Sequence, residues 1–262
     1  MKIATWNVNS VRKRTTNLVE WLKSAKPDVA VLQEIKAQEA QFPRLEVEAA
    51  GYKVEIVGQK SWNGVALLSL HPVEITARSL PDPETDEQAR YIEGRVQTPQ
   101  GPLTIGGLYL PNGNPIHTDK FAYKIAWMDR LAERTRQLLA AEEMFVLGGD
   151  YNVIPTDADV FSPAAFANDA LTQPQSRQAL RTLLNLGLTD AVRAFDPEGP
   201  SYTFYDYQAG AWQKGNGLRI DHLLLSPQAA DRLTAVGIDK AERGKPEPSD
   251  HVPVWCELDL SS

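Results

Sequence analysis

Residues 146–153 read VLGGDYNV, the continuation of an apolar lead-in that begins at Met144. The run MFVLGG predicts a buried strand, and its two glycines predict a tight turn at the strand's end. Asp150 and Asn152 then follow two positions apart. On an extended chain residues i and i+2 point to the same face, so a carboxylate and a carboxamide project together from a strand terminus. A site built this way needs an anion and a neutral amide side by side, and the rest of the chain has to supply the reason.

Similar short apolar segments recur on both sides of this stretch. KIATW (2–6), VAVLQ (29–33), KVEIV (53–57), GVALLSL (64–70), VEITARSL (73–80) and YIEGRVQT (91–98) precede it, with LTIGGLYL (103–110). RIDHLLL (219–225) and VPVWCEL (252–258) follow. Glycine, proline and asparagine punctuate them as expected of sheet proteins. Helical spacing interrupts the strands at 15–25, where Leu18, Trp21 and Leu22 share a face, and at 121–141, with a stripe of Phe121, Ile125, Met128 and Leu131. A third helix is expected over 176–188, ending near Gly187. Many strands and few helices predict two sheets packed face to face with helices on their outer faces. LPDPETDEQ (80–88) reads as an acidic surface loop, and with no linker-like composition the whole of 1–262 is expected to form one domain. IATWNVNSV (3–11) and VLGGDYNVI (146–154) echo each other as an apolar strand closing in polar-x-Asn-apolar, which points to two halves sharing a cleft.

Hydrophobic residues at 42% and charged residues at 23% are ordinary for a globular chain. No segment approaches the ~20 apolar residues of a membrane span, no apolar signal core opens the chain, and a cytoplasmic location is expected. Cys256 cannot pair within the chain and sits in an apolar run, as a small buried hydrophobe would. The net charge of −7 argues against nonspecific coating of nucleic acid, although carboxylates gathered round a metal would push the balance the same way. Basic residues cluster locally at Arg12, Lys13 and Arg14 and again at Lys120 and Lys124.

Polar residues occupy the ends of other strands too. Asn7 and Asn9 close the first, Glu34 follows VAVLQ, Tyr109 ends LTIGGLYL ahead of PNGN, and Asp250 and His251 precede the last. Asp221 lies inside RIDHLLL, where an ionised side chain is costly without a partner. Each alone has an ordinary explanation in turn chemistry, helix capping or a satisfied core histidine. Their shared placement at strand termini does not.

WNVNS (6–10), LQE (32–34), GVALLS (64–69), LYLPNGN (108–114), GGDYNV (148–153), TFYDY with GLRIDHLLLS (203–226) and SDHVPV (249–254) resemble, in order, the motif series of the exonuclease III / abasic-site endonuclease family, part of the endonuclease–exonuclease–phosphatase superfamily. The resemblance runs from residue 3 to residue 255. It implies a DNase I-like four-layer αββα sandwich of two mainly antiparallel sheets. Glu34 is implied as the principal metal ligand, with Asn9 (aspartate in some members) and Asp250 near the same ion. Few carboxylates plus water suit Mg²⁺ or Mn²⁺, and one cysteine with four scattered histidines gives no zinc spacing.

The implied chemistry answers the opening pair. Asp150 would orient and deprotonate the attacking water. Asn7 and Asn152 would hold that water and a phosphate oxygen without adding negative charge, and Asn112 would add a phosphate contact. His251, oriented by Asp221, would donate to the phosphate as charge develops, and Tyr109 would assist the leaving oxygen. Arg12, Lys13, Arg14, Lys120 and Lys124 would follow a DNA backbone, while Phe204, Trp212 and Leu218 would wall a pocket for a baseless deoxyribose. The expected function is metal-dependent cleavage 5′ to abasic sites in duplex DNA by a monomer, with exonuclease or phosphatase action on blocked 3′ ends. A phosphatase acting on a non-DNA phosphoester and a catalytically silent nucleic-acid-binding protein are the alternatives.

Overall fold

The parallel strands β1 (Lys2–Asn7) and β2 (Val29–Gln33) are joined by helix α1 (Thr15–Ala25). Both strands are buried on both sides, which is why VAVLQ is apolar almost throughout instead of alternating. Ile3, Val29 and Val31 face the centre of the molecule, whereas Ala4, Trp6, Ala30 and Leu32 face outward against Leu18, Trp21 and Leu22 of α1. The computed structural model describes residues 1–81 and 86–261; residues 82–85 of the expected acidic loop lie outside the described residues.

Among the described residues there are two six-stranded sheets. The first adds β3 (Lys53–Val57) and β4 (Val65–Ser69) on one side, after the short helix α2 (Arg44–Glu48), and β11 (Leu233–Ile238) and β12 (Val254–Leu258) on the other. The second runs β5 (Val73–Ala77), β6 (Tyr91–Thr98), β7 (Gly101–Tyr109), β8 (Met144–Asp150), β10 (Asp221–Leu225), β9 (Thr189–Asp190). Parallel pairing occurs at β1–β2 and β7–β8, and the other pairings are antiparallel. Read as β11-β12-β1-β2-β4-β3 and β9-β10-β8-β7-β6-β5, the two sheets have one pairing pattern, and β1 and β8 occupy equivalent places. The echo between residues 3–11 and 146–154 thus has a structural counterpart.

Helix α3 (Asp119–Ala140) and helix α4 (Pro174–Asn185) cover the outer face of the second sheet through Trp127, Met128, Leu131, Leu138, Leu180 and Leu183. The apolar stripe expected on α3 is therefore displaced: Phe121 and Ile125 are only half-buried, and Lys124 and Trp127 face inward. Gly148 and Gly149 also differ from expectation. They lie within β8, not in a turn. A Cβ on Gly148 would come 3.3 Å from Val31 of the facing sheet, and one on Gly149 would strike the Leu108 carbonyl, so these glycines permit close packing. Cys256 is buried between the sheets, as its apolar setting foretold.

Candidate active site

Strand register brings the polar termini to one edge. Asp150 pairs with Tyr109 on one side and with Asp221 on the other. On the facing sheet Asn7 pairs with Gln33, which places Glu34 one residue beyond. The chain then turns sharply: Asn9 (φ 43°), Glu34 (φ 48°), Lys36 (φ 50°) and Asn152 (φ 47°) all adopt the left-handed conformation. Non-glycine residues held there cost on the order of 1 kcal/mol or more each, and such strain gathers at functional sites.

The Asn7 amide donates to Glu34 Oε1 at 2.8 Å and to Asp150 Oδ2 at 2.9 Å, bridging two carboxylates with a neutral group. The Asn152 backbone N–H donates to Asp150 Oδ1 at 2.9 Å, while its side-chain amide donates to the Leu110 carbonyl at 2.9 Å. Asn112 in turn donates to Asn152 Oδ1 at 3.2 Å. The buried Asp221 is fully partnered: Thr203 donates to it at 2.6 Å and His251 Nδ1 lies at 2.8 Å. That leaves His251 Nε2 pointing toward Asp150, 3.8 Å from Oδ2.

Burial lifts the Asp150 carboxyl to about 7; the neighbouring His251 cation opposes this, and the Asp221 and Glu34 charges add to it. Burial alone would depress the His251 pKa, but the Asp221 and Asp150 carboxylates outweigh it and hold the imidazole up at about 10. Burial raises Glu34 as well, yet the Lys36 ammonium 2.8 Å away brings its carboxyl below the usual range. Burial drives the Tyr109 phenol well upward, with the Glu34 and Asp150 charges reinforcing the shift, so it stays protonated at neutral pH.

Among the described residues, ligand atoms of Glu34, Asp150 and His251 lie within 4.8 Å of one another, the spacing a metal ion requires. Two carboxylates with room for water suit a hard oxygen-seeking divalent cation. Of the other ligands expected from sequence, Asn9 Oδ1 accepts from Lys36 Nζ at 2.6 Å, and Asp250 accepts from Asn9 Nδ2 at 3.1 Å. Asn9 and Asp250 thus adjoin the cluster through hydrogen bonds.

The expected substrate contacts divide. Arg12, Lys13, Lys120 and Asn112 are exposed. The Arg14 guanidinium is committed to the Asn9, Glu247 and Pro248 carbonyls and to the Tyr207 hydroxyl. Lys124 corrects the sequence reading: it is buried, and its Nζ donates to the Asn112 and Asn152 carbonyls, so it ties two site loops together and cannot reach a DNA backbone. Phe204 and Leu218 line the cavity beside the carboxylates. Trp212 does not line it; its ring packs edge-on against Tyr205 at 4.9 Å. Ile220, Phe161 and Phe166 line it instead. Lys36 and Thr203, also unforeseen, complete the polar network. Lys36 lies two residues beyond Glu34 in LQEIK, a spacing that offered a weak signal, whereas nothing in SYTFYDY set Thr203 apart.

A family model described as the endonuclease/exonuclease/phosphatase family matches residues 4–251. The chain is 32% identical to an exodeoxyribonuclease III of Haemophilus influenzae, over 98% of this chain and 100% of that protein. Its fold matches the structure of an AP endonuclease from Archaeoglobus fulgidus with a TM-score of 0.93 at 35% identity, covering 99% of this chain and 100% of the other. It matches the Neisseria 3′ phosphatase NExo, solved with a product DNA hairpin, with a TM-score of 0.93 at 37% identity over 99% of each chain. With two sheets, outer helices and a convergent carboxylate–amide–imidazole cluster in common register, the chain belongs to the endonuclease/exonuclease/phosphatase family.

Proposed function

We propose that the chain is a metal-dependent DNA repair nuclease that hydrolyses the phosphodiester 5′ to abasic sites and clears blocked 3′ ends. The observation that carries this reading is the Asn7 amide bridging Glu34 and Asp150 in a cavity that Phe204, Leu218 and Ile220 also line. Such a site would seat phosphate and water at the carboxylates and a baseless sugar against the apolar side chains. The names of the similar proteins (an exodeoxyribonuclease III, an AP endonuclease and a 3′ phosphatase) support the same substrate class.

Glu34 would be the principal ligand of Mg²⁺ or Mn²⁺, with Asn9 and Asp250 beside the same ion. When bound, the ion supplies charge neutralisation at the phosphoryl oxygens. Asp150 accepts the proton of the attacking water, and Asn7 and Asn152 fix the carboxylate's direction. His251, charged at neutral pH, donates from Nε2 to a phosphoryl oxygen, and Asp221 holds the ring in that orientation. Tyr109, a neutral phenol, donates to the departing 3′ oxygen. Arg12, Lys13 and Lys120 attract the DNA backbone, and Asn112 contacts a phosphate from the rim.

The test is a set of cleavage assays on duplex containing an abasic analogue, intact duplex and a phosphoinositide, each with Mg²⁺ or with chelator. Metal-dependent incision of the abasic duplex alone or in preference is expected. Turnover of the phosphoinositide only would favour a phosphatase of another substrate class. DNA binding without turnover in any metal would leave a silent binding protein.

A further inference from the structure

Strand β10 sends two adjacent polar side chains in opposite directions. Asp221 faces the site and holds His251. His222 faces the outer layer, where its ring packs edge-on against Tyr151 at 5.4 Å. The imidazole is fully buried, which is costly unless its nitrogens find partners. Both do. Nδ1 lies 3.1 Å from Arg219 Nη1, and Nε2 lies 3.0 Å from the Val153 carbonyl oxygen.

These partners fix the tautomer. A guanidinium can only donate, so Nδ1 accepts, and the ring proton resides on Nε2 and is donated to Val153. Burial, and after it the Arg219 charge, holds the imidazole pKa below its ordinary value, with Asp190 opposing, so the ring is neutral at neutral pH. Arg219 is itself held in place: Nε donates to Asp159 at 2.6 Å, and Nη1 donates to Asp190 at 2.6 Å. A chain of hydrogen bonds thus runs from two carboxylates through Arg219 and His222 to one backbone carbonyl.

That carbonyl lies one residue beyond Asn152, which is held in the left-handed conformation at φ 47°. The Asn152 N–H donates to Asp150 Oδ1 at 2.9 Å, and the Asn152 carbonyl accepts from Lys124. In the peptide that follows Val153, the carbonyl accepts from His222 and the Ile154 N–H donates to the Leu171 carbonyl at 2.9 Å. That peptide is therefore held at both ends. Relaxing Asn152 to a negative φ would relieve its strain but swing the following peptides, pulling the Val153 carbonyl away from Nε2.

We propose that His222 is a positioning residue for hydrolysis: by holding the Val153 carbonyl, it keeps Asn152 in its strained turn and the Asn152 N–H aimed at Asp150. This inference rests on the nuclease reading above. Neighbouring residues of β10 then set both halves of the acid–base pair. Asp221 orients His251, and His222 orients Asp150 through Asn152.

The experiment exploits reach. Glutamine places its amide nitrogen where Nε2 stands and can donate to Val153. Asparagine carries the same amide one carbon short, so it can meet Arg219 but not Val153. His222→Gln, His222→Asn and His222→Leu are compared with wild type in single-turnover incision, with Mg²⁺, of a duplex holding a tetrahydrofuran abasic analogue. The asparagine and leucine variants should cut about tenfold more slowly or worse, since misplacing a reacting group by ~1 Å costs up to about 10²-fold. Their DNA affinity, read by anisotropy in chelator, should stay at the wild-type value. His222→Gln should retain most of the wild-type rate. A role in stability alone would lower melting temperatures without separating the two amides. Equal rates for His222→Gln and His222→Asn, a faster asparagine variant, or a loss confined to DNA affinity would therefore overturn the proposal and leave the nuclease reading intact. Wild type that leaves the abasic duplex uncut in metal would overturn the nuclease reading, and the role in turnover with it. A measurement on wild type needs no variant to fold: nitrogen NMR of the ring should show His222 protonated on Nε2 alone at neutral pH. A proton on Nδ1 would break the chain at Arg219 and overturn the proposal.

Discussion

The side-chain nitrogen of Asn7 donates to Asp150 at 2.9 Å, and the same nitrogen donates to Glu34 at 2.8 Å. A neutral amide thus separates two acids that would otherwise repel each other. Asn7→Asp would set a third carboxylate between them, raising the Asp150 pKa further. The base form would then be present only at higher pH. The acid limb of the pH–rate profile should move upward, and turnover at neutral pH should fall on the order of 10²-fold. A profile superimposable on wild type would show that Asn7 is only a structural strand end.

Asp150→Asn keeps the size of the side chain and the bond from the Asn152 N–H but removes the base. Single-turnover cleavage should drop by more than about 10²-fold, the lower end of what a general base contributes. DNA affinity, read by fluorescence anisotropy, should hold or rise because a negative charge facing phosphate has gone. Near-normal cleavage would place the base elsewhere.

Asp221 should control the charge on His251. The carboxylate outweighs burial and holds the imidazole at about 10. In Asp221→Asn, burial remains and the main opposing charge is lost, so the imidazole pKa should fall. Activity that needs the imidazolium would then decline at lower pH than in wild type. Nitrogen NMR of the ring, titrated in both proteins, reports the shift directly. An unchanged titration would mean that another group charges the ring.

The strands were legible because burial on both sides leaves a continuous apolar run, as in VAVLQ, and because α1 displays its face at helical spacing. β11 was not, since LTAVGI is an edge strand with half-buried residues throughout most of its length and no clean alternation. The short helices α5 (Ala191–Phe195), α6 (Ala211–Lys214) and α7 (Pro227–Ala230) are too brief to carry a period. In the site, Asp150, Asn7, Asp221 and His251 were readable because polar residues at strand ends are conspicuous. Lys124 misled because a lysine on a helix ordinarily faces water, whereas here two loop carbonyls draw it inward. Phe161 and Phe166 carry no local pattern. Only tertiary folding brings them to Leu218.

Asp159 gives a stability prediction. Burial would raise its pKa, but Arg219 and Arg193 outweigh it and hold it at about 2, below the ordinary carboxylate value. A depressed carboxylate adds stability above its unfolded pKa of about 3.9, and that contribution is lost as pH falls through the folded value. Wild type should therefore lose stability between about pH 4 and pH 2. Arg219→Met strands Asp159 and Asp190 without their shared partner, and breaking a buried pair costs about 3–5 kcal/mol. Its melting temperature at neutral pH should drop sharply and its acid dependence should flatten. Equal acid slopes for the two proteins would refute the pairing as the source.

The basic residues separate DNA contact from loop positioning. Arg12 and Lys13 are exposed, so each lost phosphate contact should lower the salt dependence of binding by about 0.9 in log–log slope. The double alanine variant should bind more weakly at low salt and converge on wild type as salt rises. Lys124 is expected to behave differently. Burial pushes its ammonium down to about 7, with Asp150 and Asp169 opposing, and its nitrogen joins the Asn112 and Asn152 carbonyls. Lys124→Met fills the same space without those bonds, which leaves the buried Asn152 carbonyl and the half-buried Asn112 carbonyl poorly satisfied. Turnover and melting temperature should both fall because Asn112 and Asn152 lose their common anchor, yet the salt slope should stay at the wild-type value. If Lys124→Met instead lowered the slope as Arg12 and Lys13 replacements do, with turnover at saturating DNA unchanged, Lys124 would be a phosphate contact and the loop-anchoring role would fall.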